Sequence, residues 1–197
     1  VREEIGARLA EERGATIVKP YDDPGIIAGQ GTIGLEIAAQ LATLETPADA
    51  VLVPCGGGGL GSGIALALNS ALPGVPVYAV EPAAFDDTRR SLVAGSRLAN
   101  DPAARSICDA LLAPTPGEIT FALNHQLLAG GLTASDQAAR AAMAAAFDAF
   151  KIVVEPGGAV ALAAALTGQL DIGGKTVVVV ASGGNVDPTV FTGALAA

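Results

Sequence analysis

Four glycines in a row, Gly56, Gly57, Gly58 and Gly59, follow the apolar run Val51-Leu-Val-Pro-Cys55 and lead into Leu60-Gly-Ser-Gly63. Residues without side chains let backbone N–H groups converge on a ligand at no steric cost. A helix starting near Leu60 would add its unpaired N–H groups and the positive end of its dipole. The chemistry this favours is anion binding, and a compact phosphate is the anion that fits. The competing reading is a structural turn, but a turn rarely needs more than one or two glycines. A second glycine-bearing segment, Ser182-Gly-Gly-Asn185, follows another apolar run. If both runs are parallel strands, both segments lie at strand ends and can face one cleft.

A dinucleotide site is the rival use of the first loop. Gly56, Gly58 and Gly61 satisfy the GxGxxG spacing, and Glu81, at the end of the next expected strand, could hold a ribose. Three features weaken that reading. The glycines are contiguous rather than spaced for a pyrophosphate, the Ser182 segment has no role in it, and a strand–helix unit precedes the supposed first strand.

The elements that must carry these loops alternate between helix and strand. Helical spacing of Ile5, Leu9 and Ala10 predicts a helix over residues 2–13, ended by Gly14. Residues 16–19 read as a short strand and 20–24 as a loop. Residues 34–43 read as a helix with Leu35, Ile37, Ala38 and Leu41 on its buried face. Residues 49–54 read as a strand that is wholly apolar after Asp49, the pattern of a parallel strand covered on both faces. A helix over 60–72, stopped by Pro73-Gly74, and a strand over 75–81 complete a βαβ unit. Further on come helices at 86–94 and 116–129, with a loop at 95–104. A helix follows at 136–150, with Ser135 as its N-cap. Residues 152–155 read as a strand, 157–167 as a helix with Pro156 in its first turn, and 175–181 as a last apolar strand. The fold class expected is an open, doubly wound, mostly parallel α/β sheet.

Composition excludes several classes. Of 197 residues, 51 % are apolar and 16 % charged, with a mean hydropathy of +0.49, so a folded core is expected. The formal net charge of −9 argues against a nucleic-acid partner, which needs clustered Lys and Arg. No apolar run reaches the roughly 18 residues that span a bilayer. Two cysteines, Cys55 and Cys108, make no disulfide framework, which fits a reducing, cytoplasmic setting. The chain opens at Val1 inside a helical pattern, as expected of a chain with sequence missing in front of it.

At this point the chain resembles the fold type II pyridoxal-phosphate enzymes, in the threonine/serine dehydratase and serine racemase group. The segments that carry the resemblance are Pro20-Tyr-Asp-Asp-Pro-Gly-Ile-Ile-Ala-Gly-Gln-Gly-Thr-Ile33, Val53-Pro-Cys-Gly-Gly-Gly-Gly-Leu60, Tyr78-Ala-Val-Glu-Pro82, Val154-Glu-Pro-Gly-Gly-Ala159 and Ala181-Ser-Gly-Gly-Asn-Val186. They occur in the family's order across nearly the whole chain. The resemblance implies that residues 1–197 are the C-terminal part of the cofactor-binding large domain. It also implies a small hydroxy amino acid as substrate, a 2-oxo acid and ammonia as products, and a homo-oligomer.

Roles follow residue by residue from the resemblance. Gly56, Gly57, Gly58, Gly59 and Leu60 would cradle the phosphate of pyridoxal 5′-phosphate. Ser182 would give its hydroxyl to the pyridine nitrogen, making the ring a milder electron sink than a carboxylate partner would. Read without the family, Ser182 equally well caps a turn. Glu155 would sit close to cofactor or substrate; otherwise it is a surface residue before a helix. Glu81, Asp87 and the carbonyl of Phe85 resemble the group's divalent-cation site, and hard oxygen ligands suit Mg²⁺ or Ca²⁺. The plain alternative is an acidic helix start. His125 has no partner motif and reads as structural. Nothing marks Cys55 as a nucleophile.

The family's chemistry also needs a lysine that forms a Schiff base with the cofactor and takes the α-proton. The three lysines here, Lys19, Lys151 and Lys175, lie in no Ser-x-Lys motif. The resemblance therefore implies that the lysine, the substrate-carboxylate loop and the small domain belong to a missing N-terminal segment. Such a chain alone would be inactive as a lyase. Racemisation, a non-catalytic phosphate-binding module and, more remotely, a nicotinamide oxidoreductase are the other readings.

Overall fold

The computed structural model describes residues 2–196. In chain order the elements are helix α1 (Arg2–Arg13), helix α2 (Pro24–Thr43), strand β1 (Ala50–Pro54), helix α3 (Gly59–Ala71), strand β2 (Val77–Pro82) and helix α4 (Asp87–Ala94). A 3₁₀ turn (Asp109–Leu111), helix α5 (Glu118–Leu127) and strand β3 (Gly130–Ala134) follow. Helix α6 (Asp136–Phe150), helix α7 (Pro156–Leu166), strand β4 (Val177–Val179) and helix α8 (Pro188–Leu195) complete them.

The strands form one parallel sheet in the order β3-β2-β1-β4. β1 is interior, with Val51 opposite Val77 on one side and Val178 on the other. All five β1 residues are buried, as a parallel strand with helices on both faces requires. Alternate side chains go to opposite faces. Leu52 joins Val80, Met143 and Val160 under α6 and α7, while Val51 and Val53 join Ile37, Ile64 and Leu68 under α2 and α3. The chain is thus the doubly wound parallel α/β sheet expected.

Helices α2 and α3 cross at very close range. A side chain at Gly34 would put its Cβ 2.8 Å from both the Ala67 methyl and the Ile64 carbonyl oxygen, and one at Gly63 would strike the Ile27 carbonyl. Close packing leaves no room there for a methyl group. This crossing sets the entry of α3, and with it the loop at Gly56–Gly59.

Several elements differ from the sequence expectation. Residues 16–19 form no strand; they are exposed and have no sheet partner among the described residues. Their β-branched side chains favour extended backbone, but a strand also needs a neighbour to pair with. Residues 152–155 are likewise no strand. Only Val154 is buried, and Glu155 N–H donates to the Gly183 carbonyl at 2.9 Å. Helix α2 starts at Pro24, not at residue 34. The Asp23 carboxylate accepts the N–H groups of Gly25 and Ile26, and Pro24 takes the first helical position. Its glycines hide the helical pattern. Strand β3 escapes sequence reading because Gly130-Gly131 looks like a turn, and α8 lies beyond the last expected strand. Ser135 caps α6 as expected, accepting from Ala138 N–H at 3.1 Å.

Candidate functional site

β1 and β4 are adjacent and parallel, so the segments after them emerge at the same end of the sheet. Gly56 to Leu60 and Ser182 line one cavity of about 480 Å³, together with Pro20, Tyr21, Gln30, Pro54 and residues 109–114. The two loops singled out in the sequence therefore do face one cleft, at the carboxyl ends of the strands.

The loop is built to present N–H groups. Gly58 is the N-cap of α3 at φ 95° and ψ −4°, a left-handed conformation that costs a non-glycine residue roughly 1–2 kcal/mol. The first intrahelical bond is Ser62 N–H to Gly58 O at 2.9 Å. Within the described residues, no acceptor meets the N–H groups of Gly56, Gly57 or Gly58. Those of the first α3 turn lack intrahelical partners by geometry. The result is a concave cluster of donors at the positive end of a helix. The glycines are also needed for packing. The Tyr21 ring lies where a Gly57 side chain would be, and the backbone of Leu111 is 3.1 Å from a Cβ built at Gly56. A side chain at Gly58 would not enter the cavity; it would meet Asn124 at 2.8 Å and Thr120 at 3.0 Å.

Ser182 is exposed on the cavity wall, and its hydroxyl is directed to no partner among the described residues. Glu155 is not among the lining residues. Its carboxylate rests against Gly183, next to Ser182. His125, tilted against Phe121 at the end of α5, does not line the cavity, nor do Lys151 and Lys175, whose ammonium groups donate to the Asp148 and Asp171 carbonyls. Cys55 is buried, and burial pushes its thiol above the ordinary range, so it stays protonated and is no nucleophile.

Glu81 and Asp87 are brought together below the loop. Glu81 is fully buried at the end of β2. Its two carboxylate oxygens accept the N–H groups of Thr88 (2.8 Å) and Arg89 (2.7 Å), so it caps α4 from a neighbouring strand. Asp87 Oδ1 accepts from Asn100 Nδ2 at 2.5 Å, and Asp87 Oδ2 is buried with no hydrogen-bond partner. Desolvation raises the Glu81 pKa to about 8 and that of Asp87 to about 6. The orphaned oxygen beside a second desolvated carboxylate fits a divalent cation, and both carboxylates would ionise fully with one bound. No cluster of three or more His, Cys, Asp or Glu side chains suited to a metal occurs among the described residues. A cation would therefore also draw on backbone carbonyls, such as that of the buried Phe85, and on water.

Sequence reasoning assigned no site role to Tyr21, Gln30 or the 109–114 stretch, which line the cavity with the glycines; Tyr21 packs on Gly57 and Leu111 on Gly56. The motif Pro20-Tyr-Asp-Asp-Pro24 was visible, but its task depends on contacts made far along the chain.

An open parallel sheet whose glycine loop and serine line one cavity at the ends of adjacent strands defines an α/β protein with a candidate anion site. The model of the family described as pyridoxal-phosphate dependent enzymes matches residues 1–183, and the chain belongs to that family. It is 41 % identical over 187 residues to the L-threo-3-hydroxyaspartate ammonia-lyase of Saccharomyces cerevisiae, covering 94 % of this chain and 56 % of that protein. It is 38 % identical over 191 residues to a serine racemase of Arabidopsis thaliana, with the same coverages. The crystal structure of a T.th. threonine deaminase superposes with a TM-score of 0.87 at 42 % identity, covering 94 % of this chain and 62 % of that one. The chain thus spans little more than half the length of these relatives.

Proposed function

We propose that this chain is the cofactor-phosphate-binding portion of a pyridoxal-phosphate-dependent ammonia-lyase. The full enzyme would act on a small β-hydroxy amino acid of the threonine/serine type and give a 2-oxo acid and ammonia. The observation that carries this reading is the shared cavity of Gly56–Leu60 and Ser182. Bound pyridoxal phosphate supplies an electron sink for cleavage of a bond to the substrate's α-carbon. The residues here would bind and orient it. The N–H groups of Gly56 to Leu60 would hold the phosphate, and the Ser182 hydroxyl would be a neutral partner for the ring nitrogen. Tyr21 and residues 109–114 narrow the cavity and limit water. Held by Gly56 to Leu60, that phosphate would supply acid chemistry for loss of a substrate hydroxyl. Glu155, against Gly183, would hold the Ser182 segment in place. Mg²⁺ or Ca²⁺ between Glu81 and Asp87 would stiffen the α4 side of the site.

The α-proton acceptor belongs, in this proposal, to polypeptide that accounts for the rest of the relatives' length. β4 supports this, because its outer edge is unpaired among the described residues. Beside it, an apolar groove of about 280 Å³ runs between Phe150, Ile152, Leu162, Val177 and Val179. An added strand would cover both. A homo-oligomer and a cytoplasmic setting belong to the same proposal.

The test is an assay of this chain joined to the Schiff-base-lysine segment, with L-threonine, L-serine and threo-3-hydroxyaspartate. Ammonia and 2-oxo acid should form at about 1 s⁻¹ or faster with one of them, and the 197-residue chain alone should form neither. Formation of D-serine without ammonia would favour the racemase reading, and no turnover with phosphate binding intact would favour a binding module.

A further inference from the structure

Three polar side chains, Ser62, Thr120 and Asn124, are wholly buried between α3 and α5, where apolar residues would pack as well. Each is aimed at the glycine loop. Thr120 Oγ1 donates to the Gly57 carbonyl at 2.7 Å, and Gly117 N–H donates to the same oxygen at 3.2 Å. Asn124 Nδ2 donates to the Gly58 carbonyl at 3.3 Å. Ser62 has one hydroxyl proton for three acceptors, the Gly58 carbonyl at 2.8 Å, Asn124 Oδ1 at 3.0 Å and the Thr120 carbonyl at 3.3 Å. Each polar side-chain atom of the cluster has a partner within hydrogen-bond distance, so it is a connected network rather than a packing defect.

A trans peptide unit is planar, with its C=O and the following N–H pointing in opposite directions. None of the described peptide bonds is cis. Holding the Gly57 carbonyl toward α5 therefore turns the Gly58 N–H away from α5, and holding the Gly58 carbonyl does the same for Gly59 N–H. Gly57, Gly58 and Gly59 line the cavity, whereas Thr120 and Asn124 do not. The side facing away from α5 is thus the cavity side. Glycine has no side chain to stop the Gly57–Gly58 peptide from flipping, whereas the Gly58 carbonyl is held by α3 as well, through the Ser62 N–H at 2.9 Å.

We propose that Thr120 and Asn124 are positioning residues for phosphate. By anchoring the carbonyls of Gly57 and Gly58 they hold the donors of the loop turned into the cavity before the anion arrives. This rests on the reading that the cavity takes the cofactor's phosphate. Preorganised donors need no reordering on binding, so their loss appears as lost affinity.

The test titrates inorganic phosphate, and then pyridoxal 5′-phosphate, into the 197-residue chain with amide NMR on Gly57, Gly58, Gly59 and Leu60. Thr120→Val keeps the shape and removes the hydroxyl; it should weaken phosphate about tenfold, the scale of one lost buried hydrogen bond. Thr120→Ser should return affinity to near that of the parent chain. Ser62→Ala frees the Asn124 amide without adding volume and should weaken phosphate severalfold. It decides the matter if Thr120→Val does not fold. If the parent binds phosphate and the folded variants bind it equally well, the positioning role is overturned and the phosphate reading stands. Equal losses in Thr120→Val and Thr120→Ser would assign the effect to packing and also overturn it. If the parent shows no phosphate-dependent shifts at the loop, the phosphate reading itself fails, and this role with it.

Discussion

Asp22 Oδ1 accepts the backbone N–H of Ile119 at 2.7 Å, although the two residues are 97 apart in the chain. The same oxygen takes the Thr120 N–H at 3.2 Å, so Asp22 caps α5 from outside. Its neighbour Asp23 caps α2. Between these two caps and Lys19, Tyr21 is pressed onto Gly57. Asp22→Ala should therefore cost about 1 kcal/mol, lowering the melting temperature by roughly 2–4 °C. Asp22→Asn, which tolerates the left-handed backbone (φ 58°) and can still accept, should lose less. Equal melting temperatures for Asp22→Ala and the parent would show that the cap carries no stability.

Gly58 and Gly61 belong to the same motif but should respond in opposite ways. Gly58→Ala faces a left-handed backbone and Asn124 at 2.8 Å. It should lose about 2–4 kcal/mol and roughly 5–15 °C in melting temperature. Gly61→Ala sits inside α3 with its nearest neighbour, Asn124 Oδ1, at 3.9 Å. It should be neutral or stabilising by up to about 1 kcal/mol. Thermal denaturation of the two variants checks this, and comparable losses would contradict it.

The buried acids predict how stability varies with pH. The Glu81 pKa is raised from 4.5 to about 8 and that of Asp87 from 3.8 to about 6, in both cases chiefly by desolvation. A raised acid pKa means the folded state binds more protons than the unfolded state across that window. Stability is then greatest at the acid end and falls as pH rises. The melting temperature should drop by several degrees between pH about 5 and about 8. Millimolar Mg²⁺ or Ca²⁺ should restore it at the upper end and do little at the lower. Glu81→Gln should flatten the profile and remove the cation response. A flat profile in the parent chain, with no response to either ion, would rule out the paired-acid account.

The unpaired edge of β4 predicts self-association. Val177, Val178 and Val179 are only half-buried, while Phe150, Ile152 and Val153 nearby are exposed. Sedimentation of the 197-residue chain should reveal concentration-dependent association. Adding the lysine-bearing segment in trans should suppress association and raise the melting temperature. A monodisperse monomer indifferent to the added segment would contradict this.

Much of the architecture can be read from local pattern. The apolar run of β1, the Pro73-Gly74 stop, the Ser135 cap and the four glycines each reflect a neighbour-to-neighbour physical preference, and each has its expected structure. The short apolar segments at 16–19 and 152–155 do not, because strand formation depends on an edge to pair with, which propensity cannot supply. Strand β3 is the converse case: two glycines with poor propensity become a strand because β2 offers them a partner.

The candidate site divides along the same line. The residue types at 56–60 and 182 point to an anion site and a hydroxyl, since backbone N–H donors free of side chains and a serine after a strand are chemical facts of single segments. Which way the glycine donors point is different in kind. The Gly57 and Gly58 carbonyls are held by Thr120 and Asn124, more than sixty residues away, and Tyr21 lies on Gly57 beside the Asp22 that caps α5. The same is true of the orphaned oxygen of Asp87, whose isolation comes from burial beneath neighbouring segments. Glycine carries no orientational information of its own and a carboxylate carries no burial of its own, so only the folding of distant segments against them decides what each can do.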